Sequence, residues 1–277
     1  MAIIDSPQNQ YVKLFRSLEN PRARRETGLF AVEGLHSIED MIATGWKAQV
    51  GYWCPDLLPA GDLAEALLAN SKEFVALSRR AFEAMSDVQS PQGLAAAVRI
   101  PKPTFRSIKA VDGVILALHE LRDPGNMGNM IRTADAAGAL AVIAVDNCVD
   151  FWMPKVVRAA AGSIFHLPLV SVTSEALLAW SEESATPLIG SAVEEGEPCH
   201  EVSFPARCAV LIGAEAHGLP EALLTASDAQ VTIPMPGNAE SLNATVAAGI
   251  LLYEYNRQRV LLRQLAGCDT KGVDGEK

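Results

Sequence analysis

Three short segments in the second half of the chain combine glycine with side chains that can bind or activate a ligand. In the first, residues 123–132, Arg132 follows a glycine-containing loop and could hold a phosphate through two parallel hydrogen bonds. In the second, residues 211–219, Gly213 would let the backbone approach a ligand, and Glu215 could accept a hydrogen bond from it. These residue types predict a small-molecule site beside an anion-binding arginine. A turn with a surface arginine would have the same pattern.

The third segment, residues 231–254, has the pattern of a buried strand, a sharp turn and a long helix. Pro234, Pro236 and Gly237 favour the turn, because proline fixes φ and glycine adopts conformations that other residues resist. Serine is a favoured N-cap before an apolar helix, so Ser241 is predicted to cap this one. Junctions of this kind often bind ligands in α/β proteins, although an ordinary connection looks similar.

The elements that must position these segments are short apolar runs separated by helical patterns. The runs are continuous rather than alternating, which is typical of strands buried on both faces of a parallel sheet. They cover residues 114–118, 141–145, 188–192, 209–212 and 231–233. The carboxyl ends of neighbouring parallel strands meet at one edge, so the three loops should converge there if their strands are neighbours.

The first hundred residues also alternate strand and helix patterns, which predicts a smaller α/β domain over residues 1–100. Pro101 and Pro103 favour extended backbone, so an interdomain linker is expected at residues 101–112. The larger domain would then span residues 113–266. The polar tail at 267–277 is predicted to be disordered.

Composition restricts the class of protein. The chain has 277 residues, 49% of them hydrophobic, yet no apolar run is long enough to cross a membrane. The amino terminus lacks a signal-peptide pattern, so a cytoplasmic protein is expected. The five cysteines are scattered without a CxxC pair, and this spacing predicts reduced thiols rather than disulfides or a metal site.

The net charge of −10 does not favour long-range attraction to nucleic acid. Binding to RNA would therefore need a local basic patch, and one candidate lies near the amino terminus. Such a run of charges can also be a solvated helix face. The patch consists of Lys13, Arg16, Arg22, Arg24 and Arg25.

The three segments resemble the motifs of the SpoU-type (TrmH-like) RNA 2′-O-ribose methyltransferases of the SPOUT superfamily. The first motif is Asn126-Met-Gly-Asn-Met-Ile-Arg132, and the second runs from Gly213 to Leu219. The third combines Ile233-Pro-Met235 with Ser241-Leu-Asn243. Residues 154–162, 6–9 and 30–34 are similar to other parts of the family, so the resemblance spans nearly the whole chain.

The resemblance implies a fold, a cofactor and an oligomeric state. The fold would be a C-terminal parallel sheet threaded into a trefoil knot, a rare exception among protein chains, preceded by a small α/β substrate-binding domain. The cofactor would be S-adenosylmethionine, held by backbone groups at Gly213, Ile233, Met235 and Leu242. Family members are homodimers, with the helix after the third motif near the interface. No metal is implied.

The implied reaction is methyl transfer to a ribose 2′-hydroxyl. The family assigns proton acceptance to the motif arginine, here Arg132, although a guanidinium normally stays protonated. Arg132 could instead hold the adjacent phosphate and lower the pKa of the hydroxyl. Asn126, Glu215, Ser241 and Asn243 would orient Arg132 and the ribose. Lys155 and Arg158, in the helix at 154–162, extend the list of expected RNA contacts.

Ribosomal RNA is the favoured substrate, because the chain has a separate N-terminal domain and lacks a strongly basic tail suited to tRNA. A tRNA ribose methyltransferase is the alternative enzyme. A non-catalytic RNA-binding assembly factor is the alternative of another class. The presence of all five implied catalytic residues argues against the assembly factor.

Overall fold

The computed structural model describes residues 1–192, 196–214 and 217–269. The chain forms two compact units, each assembled from three segments. The first unit contains Met1–Lys102, Asp123–Arg132 and Val149–His166. The second contains Pro103–Arg122, Thr133–Cys148 and Leu167–Lys277.

The first unit is built on a five-stranded sheet with helices on its faces. Its strands are β1 Ile3–Ile4, β2 Leu29–Glu33, β3 Ala48–Trp53, β4 Ser71–Leu77 and β5 Leu94–Arg99. Their order is β1-β4-β3-β5-β2, and β5 runs antiparallel to both of its neighbours while the other pairs are parallel. The helices are α1 Gln10–Ser17, α2 Pro21–Thr27, α3 Leu35–Ala43, α4 Asp62–Ala69 and α5 Arg79–Met85.

An aromatic cluster joins the segment 149–166 to β2 and α3 within the first unit. Phe30 of β2 lies 4.7 Å from Trp152, measured between ring centroids, and Trp46 lies 5.2 Å from Phe165. Phe30, Trp152 and Phe165 are all buried. The four rings therefore form one apolar core, which explains why this later segment belongs to the first unit.

The second unit contains a seven-stranded sheet in which every pairing is parallel. Its strands are β6 Gly113–His119, β7 Val142–Val145, β8 Leu169–Val172, β9 Leu188–Ser191, β10 Glu197–Pro198, β11 Arg207–Ile212 and β12 Ala229–Thr232. Their order is β10-β12-β9-β11-β6-β7-β8. The helices of this unit are α8 Ser174–Ser184, α9 Glu221–Thr225 and α10 Ala244–Asp269. Helix α7 Pro154–Ala160 belongs to the first unit, and α6 Pro124–Ala136 has residues in both.

The central strands of this sheet are buried on both faces. All residues from Val114 to Leu118 and from Cys208 to Ile212 are at most 3% exposed. This burial explains the continuous apolar runs in the sequence. The predicted class, a parallel-sheet domain preceded by a smaller α/β domain, is confirmed. The trefoil knot stays a prediction.

The first motif lies in helix α6. Asn126 and Gly128 are residue types that suit a tight turn in the loop expected before Arg132, but the structure places both in the helix. Asp123 caps α6, since its carboxylate accepts a hydrogen bond of 2.8 Å from the amide of Asn126. Gly128 lies against α7, where an added Cβ would be 2.4 Å from Cβ of Ala159. The glycine is therefore needed for close packing of two helices.

The predicted cap of the last helix was also wrong. Helix α10 begins at Ala244, and the side chain of Asn243 accepts a hydrogen bond of 2.8 Å from the amide of Thr245. Asparagine is as good an N-cap as serine, so the position of the turn decides between them. Ser241 lies in the loop before the cap.

The domain limits at residues 100, 112 and 266 stay predictions about segments that fold together. Helix α10 continues to Asp269, three residues into the predicted disordered tail, and residues 270–277 lie outside the described residues. In the part of the chain that the structure describes, no helix has the length and apolarity that crossing a bilayer requires.

Arg24 is a correction to the predicted basic patch. Its side chain is 3% exposed, and Nη2 lies 2.7 Å from the Asp150 carboxylate. Nη1 donates to the carbonyl oxygens of Leu18 and Glu19 at 2.7 and 2.8 Å. A guanidinium occupied in this way holds the first unit together and is unavailable to an RNA phosphate.

We therefore expect Arg24→Ala to reduce the free energy of unfolding by about 3 kcal/mol, because it leaves backbone carbonyls and a carboxylate without their donor. Arg25→Ala is the matched control, since Arg25 is exposed on the same helix and should change stability by less than about 0.5 kcal/mol. Urea denaturation of both variants checks this difference. Equal stabilities would contradict the structural role of Arg24.

Candidate active site

The second unit has an open pocket at the carboxyl ends of β9, β11 and β12, closed on one side by the start of α10. Its volume is about 660 Å³, with the solvent at its mouth included. This size is within the range of small-molecule sites. The lining residues are Ser191, Ala192, Ile212, Gly213, Ala214, Gly218, Val231, Thr232, Ile233, Met235, Ser241, Leu242, Ala244, Ala247 and Leu251.

The strand order creates this pocket. Strand β9 lies between β11 and β12, with Gly190 opposite Leu211 and Ser191 opposite Val231. The loops that follow β11 and β12 therefore leave the sheet at one edge. The expected convergence of the second and third segments is found, and five predicted residues line the pocket: Gly213, Ile233, Met235, Ser241 and Leu242.

Gly213 is surrounded by backbone. An added Cβ would lie 2.0 Å from the carbonyl carbon of Gly218 and 2.2 Å from the amide nitrogen of Leu219. The loop folds back because the amide of Gly218 donates to the carbonyl of Ala214 at 2.8 Å. The second motif thus needs glycine at this position, and a side chain there would push the pocket wall outward.

The lining suits S-adenosylmethionine. Most of it is apolar side chain and backbone, with hydroxyls at Ser191, Thr232 and Ser241. Backbone amides and carbonyls can bind an adenine edge, and apolar walls can cover its faces. No residue in this lining carries a positive charge, so a sulfonium cation would meet no repulsion from it.

The sequence did not predict the wall formed by Ser191 and Ala192. Residues 188–192 were expected to form a strand, but nothing in them indicated that this strand lies between β11 and β12. The inner wall from α10, formed by Ala247 and Leu251, was likewise not predicted. Strand order depends on contacts between distant segments, and a single sequence does not encode it locally.

Four predicted catalytic residues are not among the described residues that line the pocket. Asn126 and Arg132 are on the part of α6 that belongs to the first unit, and Arg132 is exposed. Asn243 caps α10 directly after Leu242. Glu215 lies outside the described residues. The catalytic roles of these four residues stay predictions.

Some of the predicted RNA-binding residues are exposed, and others form ion pairs with carboxylates. Lys13, Arg16, Arg25 and Lys155 are exposed. Arg22 pairs with Glu26 at 2.7 Å, and Arg158 pairs with Asp87 at 3.1 Å. Exposed pairs of this kind are weak, so Arg22 and Arg158 could exchange a carboxylate for a phosphate.

Thiol chemistry has no support at this site. Burial raises the pKa of Cys208 to about 12, and burial also raises the pKa values of Cys54, Cys148 and Cys199. These four thiols stay protonated at neutral pH and are poor nucleophiles. Within residues 1–192, 196–214 and 217–269, no group of three or more potential metal-binding side chains occurs.

Comparison with known families assigns both parts of the chain. The SpoU rRNA Methylase family matches residues 113–253, and the MRM3-like substrate binding domain matches residues 9–96. The first match covers more than half of the chain. The chain belongs to the SpoU rRNA methylase family.

Relatives match over nearly their full length. The 23S rRNA (guanosine(2553)-2′-O)-methyltransferase of Bacillus subtilis is 33% identical over 254 residues, covering 91% of this chain and 98% of the relative. The 23S rRNA (uridine(2479)-2′-O)-methyltransferase of Streptomyces viridochromogenes is 32% identical over 88% of each chain. The AdoMet-bound rRNA methyltransferase of Sinorhizobium meliloti superposes with a TM-score of 0.84 at 29% identity, covering 92% of this chain and 97% of the other.

The family assignment confirms the main predictions from the motifs. The protein is an RNA 2′-O-ribose methyltransferase that uses S-adenosylmethionine. Its parallel-sheet unit has methyltransferases of this family as structural neighbours.

Gly213→Ala should weaken S-adenosylmethionine binding at least about tenfold, because the new methyl group collides with backbone that cannot yield without reshaping the pocket. Gly237→Ala is the matched control in the neighbouring loop, since an added Cβ there has no atom within 4 Å. Calorimetric titration with the cofactor measures both affinities. If the two variants bind alike, the close approach at Gly213 does not shape the pocket.

Proposed function

We propose that this methylase transfers a methyl group to the 2′-hydroxyl of a nucleotide in large-subunit ribosomal RNA. The convergence of two motif loops on one uncharged pocket supports this proposal most strongly. The activities named for the relatives, which act on 23S rRNA, support the substrate class. Because the acceptor is a 2′-hydroxyl, RNA is distinguished from DNA by the reaction itself. A ribosomal substrate also implies the cytoplasm as the location.

Backbone groups at Gly213, Ile233, Met235 and Leu242 would hold the cofactor. When bound, S-adenosylmethionine supplies an electrophilic methyl group on a sulfonium centre. The protein must then bring a ribose oxygen into line with that methyl group and exclude water as a competing nucleophile. Positioning of this kind supplies much of the rate enhancement in transfer reactions.

We infer that Arg132 binds the phosphate next to the reacting ribose. Its guanidinium has no hydrogen bond or ion pair with the described residues, so it can bind an anion. Its positive charge would stabilise the negative charge that develops on the 2′-oxygen and lower the pKa of the hydroxyl. Proton acceptance by the guanidinium itself is less favourable, because it is already protonated.

The end of α6, from Thr133 onward, belongs to the second unit and packs beside α10. Thr133 follows Arg132 directly, and its Cγ2 would lie 3.6 Å from a Cβ added to Gly249 of α10. Four residues later in the chain, the carbonyl of Ala137 accepts a hydrogen bond of 2.8 Å from Asn256. Residues preceding α10 line the pocket, and α10 therefore connects the pocket to the end of the motif helix.

Replacing Arg132 tests the proposal. We expect Arg132→Ala to lower kcat for RNA methylation by about 10²- to 10³-fold, as for the loss of one donor to a developing oxyanion. Cofactor affinity should be unchanged, since Arg132 does not line the pocket. Arg132→Lys keeps the charge and should retain intermediate activity, with no new ionisation in its pH–rate profile below about pH 9. Full activity in Arg132→Ala would show that neither the clamp nor the base is needed.

The exposed cations near the amino terminus are proposed to contact the RNA. The first unit contains the whole match to a substrate-binding domain, together with the exposed cations Lys13, Arg16 and Arg25 and, in α7, Lys155. Phosphate contacts of this type provide affinity without reading sequence.

A homodimer is proposed because α10 exposes an apolar stripe. Val246, Ile250, Tyr253 and Val260 are 37–55% exposed, and their spacing of four, three and seven residues places them along one side of the helix. An exposed stripe of this kind is typical of an interaction surface. The proposed occupant is the same helix of a second copy.

Replacing Val246 and Ile250 together by Glu should therefore convert the dimer to a monomer, because it places two carboxylates in an apolar contact. Val111→Glu is the control, since Val111 is 52% exposed but lies outside α10. Sedimentation velocity at micromolar concentration measures both. A wild-type monomer, or a double variant that remains dimeric, would contradict the proposed interface.

A further inference from the structure

A set of side-chain contacts joins the ends of β6 and β7 and takes no part in lining the cofactor pocket. Residues 119–121, at and just after the end of β6, each contact one of residues 146–148, which follow β7. Nε2 of His119 lies 3.2 Å from Oδ2 of Asp146. Asn147 donates to the carboxylate of Glu120 at 3.2 Å, and the amide of Leu121 donates to Sγ of Cys148 at 3.3 Å. We call residues 119–121 and 146–148 the clasp.

Asp146 is the centre of the clasp. Its carboxylate also accepts hydrogen bonds from the amide of Ser174, at 2.9 Å, and from the Ser174 hydroxyl. Burial alone would raise the pKa of Asp146, but the hydrogen bonds from Ser174 and the neighbouring His119 outweigh it and lower the pKa. The carboxylate is therefore charged at neutral pH and holds His119 firmly.

The backbone of the clasp is strained at two residues. Glu120 has φ of 51° and Asp146 has φ of 58°, both in the left-handed region. That conformation costs roughly 1–2 kcal/mol for most residues with a side chain, and less for aspartate. Because β6 and β7 are already joined by backbone pairing, this cost is not needed to form the sheet. Strain of this kind is often found where a site must hold one geometry.

The clasp lies beside the pocket on the same edge of the sheet. Strand β11 pairs with β6 on the side away from β7, and Ile212 is opposite Leu118. The next residues are Gly213, which lines the pocket, and His119, which begins the clasp. Two residues after Leu121 comes Asp123, the cap of the motif helix α6. The clasp thus fixes the short connection between the sheet and that helix.

We propose that His119 and Asp146 are positioning residues for methyl transfer. They hold the connection from β6 to α6 in one conformation, so that the first-motif residues keep the orientation that catalysis requires. The proposal rests on the function proposed above for Arg132. A supporting contact of this kind acts on the chemical step without binding the cofactor, because the placement of a catalytic group to within about 1 Å affects rate strongly.

Paired substitutions separate the contact from the backbone strain. Asp146→Gly removes the carboxylate but tolerates the left-handed conformation, and Asp146→Asn tolerates it while keeping an acceptor. His119→Ala removes the donor, and His119→Gln keeps an amide donor near the position of Nε2. Glu175→Gln is the control, because Glu175 follows Ser174 directly while its side chain hydrogen-bonds with Thr173.

We expect Asp146→Gly and His119→Ala to lower kcat about tenfold, with Asn and Gln at the same positions restoring most of it. The dissociation constant for S-adenosylmethionine, measured by calorimetry, should stay within about twofold of wild type in all variants. Hydrogen exchange in peptides covering 119–127 should be faster in the two disruptive variants only. The control should match wild type in each measurement.

The proposal would be overturned if kcat, normalised to the concentration of cofactor-binding sites, is unchanged in both Asp146→Gly and His119→Ala. So would an equal loss of kcat and cofactor affinity, which would show that the clasp only supports the pocket or the fold. If Asp146→Gly and His119→Ala do not fold, the conservative variants decide. A partial loss of kcat in Asp146→Asn or His119→Gln with unchanged cofactor affinity supports the proposal. A normal kcat in both, or a loss that is matched by weaker cofactor binding, overturns it. Retained activity in Arg132→Ala would instead show that the role proposed for Arg132 is wrong.

Discussion

The close return of the backbone after β11 is the constraint on which the active site depends. At Gly213 the chain passes within 2.0 Å of where a Cβ would be, and it does so at the centre of a parallel sheet whose neighbours cannot move apart. The loop after β12 and the start of α10 then complete a pocket made largely of backbone and apolar side chains. Specificity in such a pocket comes from the path of the chain more than from particular polar side chains.

Local features of the fold followed from the sequence because they depend on local physics. Continuous apolar runs predicted the parallel sheet, and the sheet indeed buries Val114–Leu118 on both sides. Gly213 was predicted to let the backbone approach a ligand; the structure shows that the chain's own backbone at Gly218 and Leu219 comes close to it. Asn126 and Gly128 are residue types that suit a tight turn, which predicted a loop before Arg132, but both residues lie in α6. The structure shows that Gly128 serves the contact between α6 and α7.

Features that depend on distant contacts did not follow from the sequence. Arg24 lies among charged residues in the sequence, which suggested an exposed patch, but Asp150, 126 residues later, pairs with its buried guanidinium. Ser191 became part of the pocket through strand order alone. The pairing of His119 with Asp146 likewise joins two strand ends that carry no shared pattern. A propensity or spacing rule has no access to such partners.

The aromatic cluster of Phe30, Trp46, Trp152 and Phe165 limits how this enzyme can be recombined. A graft that moved residues 1–100 onto another methylase, or deleted them, would leave Trp152 and Phe165 facing water. Exposed rings of this size promote aggregation. An exchange of RNA-recognition modules, in evolution or in the laboratory, would therefore have to carry residues 149–166 along with the module.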